Sequence, residues 1–257
     1  IIINYNLFNG DQEFPNVSEL ADGNIVITWT DSDPRYSNGH FTPNGLKKDV
    51  LTKFISQDGK EAGLEKQIGL QWAYDQTHPT LISIGDDGFL YVERNSYVRS
   101  ETSIFMEQHD KHLYDLYKNE KINNESLEDV LFPQMIKLTN GKVVVSWFDN
   151  PISGNSTGMF LRVLDRQGGI SAGTQYIQAN TTTNGIQANG RLTALSSGGF
   201  LAVWESQSGQ DGDGSGIFGQ FFDADGNKSG VEFQINSFTS GDQKLASAIE
   251  LSNGNII

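Results

Sequence analysis

One phrase recurs along this chain and limits what it can fold into. A Leu or Ile is followed three or four residues later by Gly, then by a short apolar run that usually ends in Trp. The copies are Leu20–Trp29, Ile84–Arg94, Leu138–Trp147, Leu195–Trp204 and the truncated Leu251–Ile257. Their turn glycines, Gly23, Gly88, Gly141, Gly198 and Gly254, are 65, 53, 57 and 56 residues apart. A period near fifty-five residues signals a repeat architecture, in which each unit completes its core against its neighbours.

The unit is longer than this phrase. Eight residues before each Leu or Ile stand Gln12, Gln76, Val130, Gln187 and Gln243. Pro15, Pro79 and Pro133 follow three residues later, replaced by Gly190 and Ala246 in the last two copies. A second hairpin comes after the Trp, with turns at Gln57-Asp58-Gly59, Arg166-Gln167-Gly168 and Asp223-Ala224-Asp225-Gly226 and outgoing strands ending at Ile68, Ile177 and Ile235. Met159–Ile177 aligns with Ile217–Ile235 without a gap. Asn-Gly, Asp-Gly and Ser-Gly bends between β-branched and aromatic runs are hairpin signals, so each unit holds four strands. The prolines belong at the start of their strands, where a missing N–H costs least.

Such a unit is too small to bury both faces alone, and four-stranded blades packed side by side are the usual solution. The expectation is an all-β, β-propeller-like array of antiparallel blades. Its repeats run over 11–69, 70–123, 130–178 and 187–236, with a partial fifth at 243–257. Residues 1–10 align with the last strand of a preceding blade, so both ends fall inside a unit and 1–257 reads as one propeller-like domain or a segment of one.

Acidic residues outnumber basic ones 32 to 18, a net charge of −14, which argues against nucleic acid as partner. No stretch is apolar enough to span a bilayer. There are no cysteines.

Two Asp-Gly loops are candidate calcium sites, because alternating carboxylates on a tight turn offer several hard oxygens. They are Asp211 and Asp213 in the first loop, and Asp223 and Asp225 in the second. The competing reading is plain turn chemistry, which favours the same residues. His109 and His112 fall on a strand entering a turn, so their rings point apart and a solvated loop is expected. Trp29, Trp147 and Trp204 recur once per unit and read as packing between blades, whereas Trp72 is the candidate exposed aromatic. Sequons at Asn16, Asn124, Asn155, Asn180 and Asn227 are candidate glycosylation sites. The sequence shows no nucleophile elbow and no phosphate-cradling loop, and names no catalytic residue.

The second unit departs most from the pattern. By glycine alignment its Trp becomes Arg94. Its second turn loses glycine, and Leu113, Tyr114, Leu116 and Tyr117 crowd a place that is polar elsewhere. An apolar hairpin tip needs cover, so these residues are a candidate contact with a neighbouring subunit, domain or ligand. The competing reading is a loop folded back on its own blade.

The fourth repeat, GRLTALSSGGFLAVWESQSGQDGDGSGIFGQFFDADGNKSGVEFQINSFTSGDQ, resembles tandem repeats of very large secreted or surface proteins, including bacterial calcium-binding adhesins of the repeats-in-toxin type. The match is strong over 187–257, fair over 11–69 and 130–178, and weak over 84–123. The resemblance implies an extracellular or cell-surface, non-enzymatic module, calcium-aided, that serves as scaffold, spacer or filament component beside neighbouring domains. The alternatives are a carbohydrate-binding, lectin-like propeller that takes glycans, and a calcium-stabilised adhesin module.

Overall fold

The computed structural model describes residues 10–32, 41–42, 45–46, 48–60, 65–69, 75–85, 88–96, 102–110, 115–123, 130–149, 157–165, 169 and 175–257. It is all-β, with four four-stranded antiparallel sheets, and the fold is a β-propeller-like array of blades. The first blade orders β1 (Gln12–Glu19), β2 (Ile25–Asp31), β5 (Asp49–Ile55) and β6 (Lys66–Ile68), with a two-strand hairpin of β3 (Phe41–Thr42) and β4 (Gly45–Leu46) inserted between β2 and β5. The second blade comprises β7 (Asp75–Ser83), β8 (Phe89–Ser96), β9 (Thr102–His109) and β10 (Asp115–Lys121). The third comprises β11 (Val130–Lys137), β12 (Val143–Asp149), β13 (Gly158–Leu164) and β14 (Ile177–Gln178). The fourth comprises β15 (Gln187–Ala194), β16 (Phe200–Ser206), β17 (Gly216–Phe222) and β18 (Lys228–Gln234). Two compact units divide the chain, 1–122 with the first two blades and 123–257 with the rest.

The repeated phrase is a turn. The Leu20 N–H donates to the Asn24 carbonyl and the Gly23 N–H to the Leu20 carbonyl, at 2.7 and 3.0 Å. The same pair of bonds closes the turns at Leu138, Leu195 and Leu251. The glycine in each is left-handed, with φ of 79°, 87°, 102° and 82° at Gly23, Gly141, Gly198 and Gly254. A side chain is strained in that conformation, which is why glycine recurs there. The Ile-Asn motif is also structural. The Asn236 Oδ1 accepts the Ile217 N–H at 2.8 Å, and the Asn180 Oδ1 accepts the Met159 N–H at 2.9 Å.

Hydrogen-bond register corrects the glycine-based alignment in two places. In the second blade the Ile84 N–H donates to the Gly88 carbonyl, so Gly88 matches Asn24 rather than Gly23. The register pairs Ser83 with Phe89 as it pairs Glu19 with Ile25, so Phe89 matches Ile25. Counting on, Glu93, not Arg94, occupies the position of Trp29, Trp147 and Trp204. In the third blade the Ala179 N–H donates to the Met159 carbonyl, as Ile235 does to Ile217. Ala179, not Ile177, therefore matches Ile235, and this blade is longer by two residues.

Blade faces pack within each unit. Val26, Val50 and Ile68 of the first blade meet Leu81, Phe89 and Tyr91 of the second. Val144, Phe148 and Leu161 of the third meet Phe200, Ala202 and Trp204 of the fourth. Trp147 and Trp204 are fully buried and Trp29 nearly so; Trp204 packs against the third blade, whereas Trp29 clusters with Ile27, Leu51 and Ile55 of its own blade and Trp147 stacks on Phe160 of its own.

Each blade's first strand carries one further repeated feature. Phe14, His78, Phe132, Asn189 and Leu245 occupy the same place and all have φ between 50° and 58°. A left-handed non-glycine residue costs on the order of 1 kcal/mol. The register shifts at the same place in β1, β7, β11 and β15, so each of these strands is bulged there. The prolines sit inside these bulges, one residue after Phe14, His78 and Phe132, and not at the strand starts expected of them. Where the fourth blade has Gly190, an added Cβ would lie 2.8 Å from the Phe148 ring.

Candidate functional site

Bulges re-aim side chains and gather beside functional sites. In the first unit two bulges lie at one end, where β1, β5 and β7 begin and β2 and β8 finish. The left-handed backbone turns Phe14 outward, 41 % exposed, and stacks its ring on that of His78 with centroids 3.7 Å apart. The His78 backbone N–H donates to the Thr30 Oγ1 at 3.2 Å, which ties the second blade's bulge to the first blade. Its ring Nδ1 lies 3.1 Å from the Thr77 Oγ1. Burial, reinforced by the Arg94 charge and to a smaller degree by Lys48, holds the imidazole pKa down at about 4, with Glu13 opposing. His78 is therefore neutral at physiological pH.

Charged groups frame this stack. The Lys48 Nζ is 2.6 Å from the Glu13 Oε2, and both side chains are a little over one third exposed. The Lys48 backbone N–H donates to the Asp75 Oδ1 at 3.0 Å. Behind them are buried carboxylates. Asp31 accepts from the Gln12 Nε2 at 3.3 Å and from the Trp29 indole at 3.4 Å. Asp49, fully buried, is its direct cross-strand partner.

Glu93 is the most informative member. Where three other blades bury Trp, the second blade buries a carboxylate, 1 % exposed. The Gln76 Nε2 and the Asn95 Nδ2 both donate to its Oε1, at 3.2 and 3.1 Å. Gly69, left-handed at φ 98°, lets the backbone pass close by, since an added Cβ would lie 2.7 Å from the Glu93 Oε2. A buried ion that replaces an apolar anchor costs stability unless its neighbours satisfy it, and such breaks in a fold's own pattern gather at functional sites. The second blade repeats the departure at His109, which is buried, ring-stacked on Phe89, and 3.1 Å from the Glu107 Oε2 that also accepts the Tyr91 hydroxyl. His109 is thus a core residue and not part of a solvated loop.

The second unit holds the matching left-handed residue differently. The fully buried Glu205 takes the place of Thr30 and its Oε1 accepts the Leu245 N–H. Phe132 and Leu245 are exposed there at 43 % and 74 %.

The candidates drawn from sequence lie elsewhere. Asp211 accepts from the Asn236 Nδ2 at 2.8 Å, and Asp213 from the Gly241 N–H at 3.1 Å, which knits two loops together. Asp223 closes its own turn, accepting the Asp225 and Asn227 N–H groups at 2.9 and 2.8 Å, and its carboxyl is held below the ordinary range chiefly by the Asn227 side chain. Asp225 pairs with Lys142. Among the described residues no group of three or more His, Cys, Asp or Glu is placed to hold a metal ion. Asn16 and Asn180 are committed to backbone bonds, Asn16 through its Oδ1 to the Leu81 N–H and Asn180 also through its Nδ2 to the Thr182 carbonyl. Asn227 is exposed and donates to the Asp223 Oδ2. Asn124, Asn155, Trp72, His112, Leu113 and Tyr114 lie outside the described residues. Leu116 and Tyr117 fall on β10, with side chains outside the description.

No protein-family profile and no curated protein matches the chain. Solved structures do. A protein of unknown function from Dyadobacter fermentans is similar over 96 % of this chain and 74 % of its own, at 14 % identity and a TM-score of 0.63. An alpha-L-arabinofuranosidase from Lactobacillus brevis is similar over 83 % and 74 %, at 12 % identity and a TM-score of 0.54. An endo-arabinase from Bacteroides thetaiotaomicron is similar over 95 % and 87 %, at 16 % identity and a TM-score of 0.50. The latter two are five-bladed β-propellers. They correct the expectation of a non-enzymatic structural or adhesive module, because the named proteins that share this fold act on carbohydrates.

Proposed function

We propose that this chain is a carbohydrate-active propeller, and that a saccharide docks at the bulged end of the first unit. One observation carries the reading: an outward-turned Phe14 stacked on a neutral His78, flanked by the Glu13–Lys48 pair, with Asp31 and Glu93 buried behind it. Sugars present C–H faces to aromatic rings and hydroxyls to carboxylates, and this end offers both. The likeness to an alpha-L-arabinofuranosidase and an endo-arabinase supports the same class of ligand. Glu13 is the carboxylate in reach of a docked sugar, while Glu93 lies in a drier, amide-lined setting; two carboxylates in unlike environments are what glycoside hydrolysis uses. An extracellular location belongs to the proposal.

The test is calorimetric titration with arabino- and fructo-oligosaccharides, with reducing-sugar release followed in the same samples. Binding that falls about tenfold in Phe14→Ala is expected, the worth of one aromatic platform. Turnover lost in Glu13→Gln makes the site hydrolytic, and binding without turnover makes it a recognition site. No binding to any glycan refutes the reading.

A further inference from the structure

The second unit sets out an aromatic ring in the same way as the first. Phe132 has φ 50° and is 43 % exposed, against 53° and 41 % for Phe14. Both precede proline, which drives its neighbour toward extended backbone, so the left-handed form is disfavoured on two counts. Strain that holds a large apolar ring in water does nothing for the packing of the blade, and strain of this kind gathers where ligands bind. In the next blade Asn189, also at φ 50° and half-buried, stands where His78 stands beside Phe14. β11 and β15 pack on each other as β1 and β7 do. The Asn189 amide makes no hydrogen bond among the described residues, which leaves a donor and an acceptor for paired hydroxyls. The ion pair of the first unit is missing from the matching places. Leu131 pairs with Phe148 as Glu13 pairs with Thr30, so Leu131 holds the place of Glu13. Gly158 pairs with Asp149 as Asp49 pairs with Asp31, so Thr157, one residue earlier, holds the place of Lys48.

We propose that the third and fourth blades carry a second saccharide site, built on Phe132 and Asn189, which recognises sugar without hydrolysing it. The ring takes the C–H face of a sugar and the amide its hydroxyls, and no carboxylate stands where the first unit holds Glu13. The proposal rests on the carbohydrate reading above and goes beyond it to a separate site.

The experiment follows the phenylalanine ring signals of the isotope-labelled whole chain by NMR during titration with arabino- and fructo-oligosaccharides. Phe132→Leu identifies the Phe132 signal by its loss, and the position accepts leucine, since Leu245 holds the matching place at φ 58°. Asn189→Gly removes the amide and suits a left-handed backbone. The Phe132 signal should shift saturably, with an affinity about fivefold lower in Asn189→Gly, the worth of one hydrogen bond. Shifts confined to Phe14 overturn the second site and leave the carbohydrate reading standing. Shifts at neither ring remove both. A Phe132 response that Asn189→Gly leaves unchanged overturns the pairing of ring and amide. Reducing-sugar release that survives Glu13→Gln and is lost in Phe132→Leu overturns the assignment of recognition without hydrolysis.

Discussion

His78 should couple the stability of the first unit to pH. Its imidazole is brought from 6.5 to about 4 in the folded chain, mainly by burial and then by Arg94. The folded pKa lies below the unfolded one, so the unfolded chain takes up the proton first. Stability is then complete above about pH 6.5, falls as the pH drops toward 4, and is level below that. The full shift of about 2.5 units would be worth about 3.4 kcal/mol. The ring is only partly buried, so solvent screening reduces this to about 1–2 kcal/mol. Asn is the substitution to use, because Asn189 holds the matching left-handed position in the fourth blade at φ 50°. His78→Asn keeps the backbone bond to Thr30 and removes the titrating group. Urea unfolding of both proteins from pH 4 to 7.5, followed by tryptophan fluorescence, reads the difference. The stability gap between them should change by about 1–2 kcal/mol across that range, or about 3–6 °C in Tm. Parallel curves would show that His78 titrates alike in the folded and unfolded chains, and the buried, cation-flanked setting assigned to it would be wrong.

Three further changes probe the architecture. Thr30→Val removes the acceptor for the His78 N–H and should cost about 1–2 kcal/mol in urea unfolding, as an unmade buried bond does. Glu93→Ala strands the Gln76 and Asn95 amides and should cost about 2–4 kcal/mol, whereas Glu93→Gln should cost clearly less; equal losses would deny the amide cluster its role. Gly226→Ala places a Cβ at φ 87° and 2.6 Å from the Ile177 Cδ1, so a loss of about 2–3 kcal/mol is expected, with the spectroscopic signature of a folded chain retained.

The fold was legible because its signals are local. The turn at Leu138 needs Gly141 in a left-handed conformation, and Trp204 needs a neighbouring blade, so spacing alone revealed blades. Alignment by glycine failed where the second blade moves its glycine by one position. Gly88 donates its own N–H to the Gly85 carbonyl in place of the usual bond. That single step hid Glu93 behind Arg94. The wider spacing from Ile84 to Gly88, four residues where Leu20 to Gly23 spans three, was the available hint. The two-residue excess in the third blade was hidden for a similar reason, since Ile177 is apolar enough to pass for the strand end that Ala179 provides.

The site was not legible, and the cause is physical. Its residues are held in place by a backbone conformation that leaves no compositional mark. Phe, His, Asn and Leu all occupy the left-handed position, and none of them favours it as glycine would. What holds that conformation comes from the preceding blade in two places, Thr30 for His78 and Glu205 for Leu245, 48 and 40 residues upstream. The strain is thus offset by a contact that exists only once the blades have packed. A pattern search sees residues that share a chemistry, but this position shares a geometry and lets its chemistry vary. That is what a scaffold needs if one fold is to present different side chains at one end. The second blade carries the variation furthest, with His78 on the bulge and Glu93 at the position that holds Trp in the other three blades. Finding both in one blade is the strongest reason to look for the ligand there.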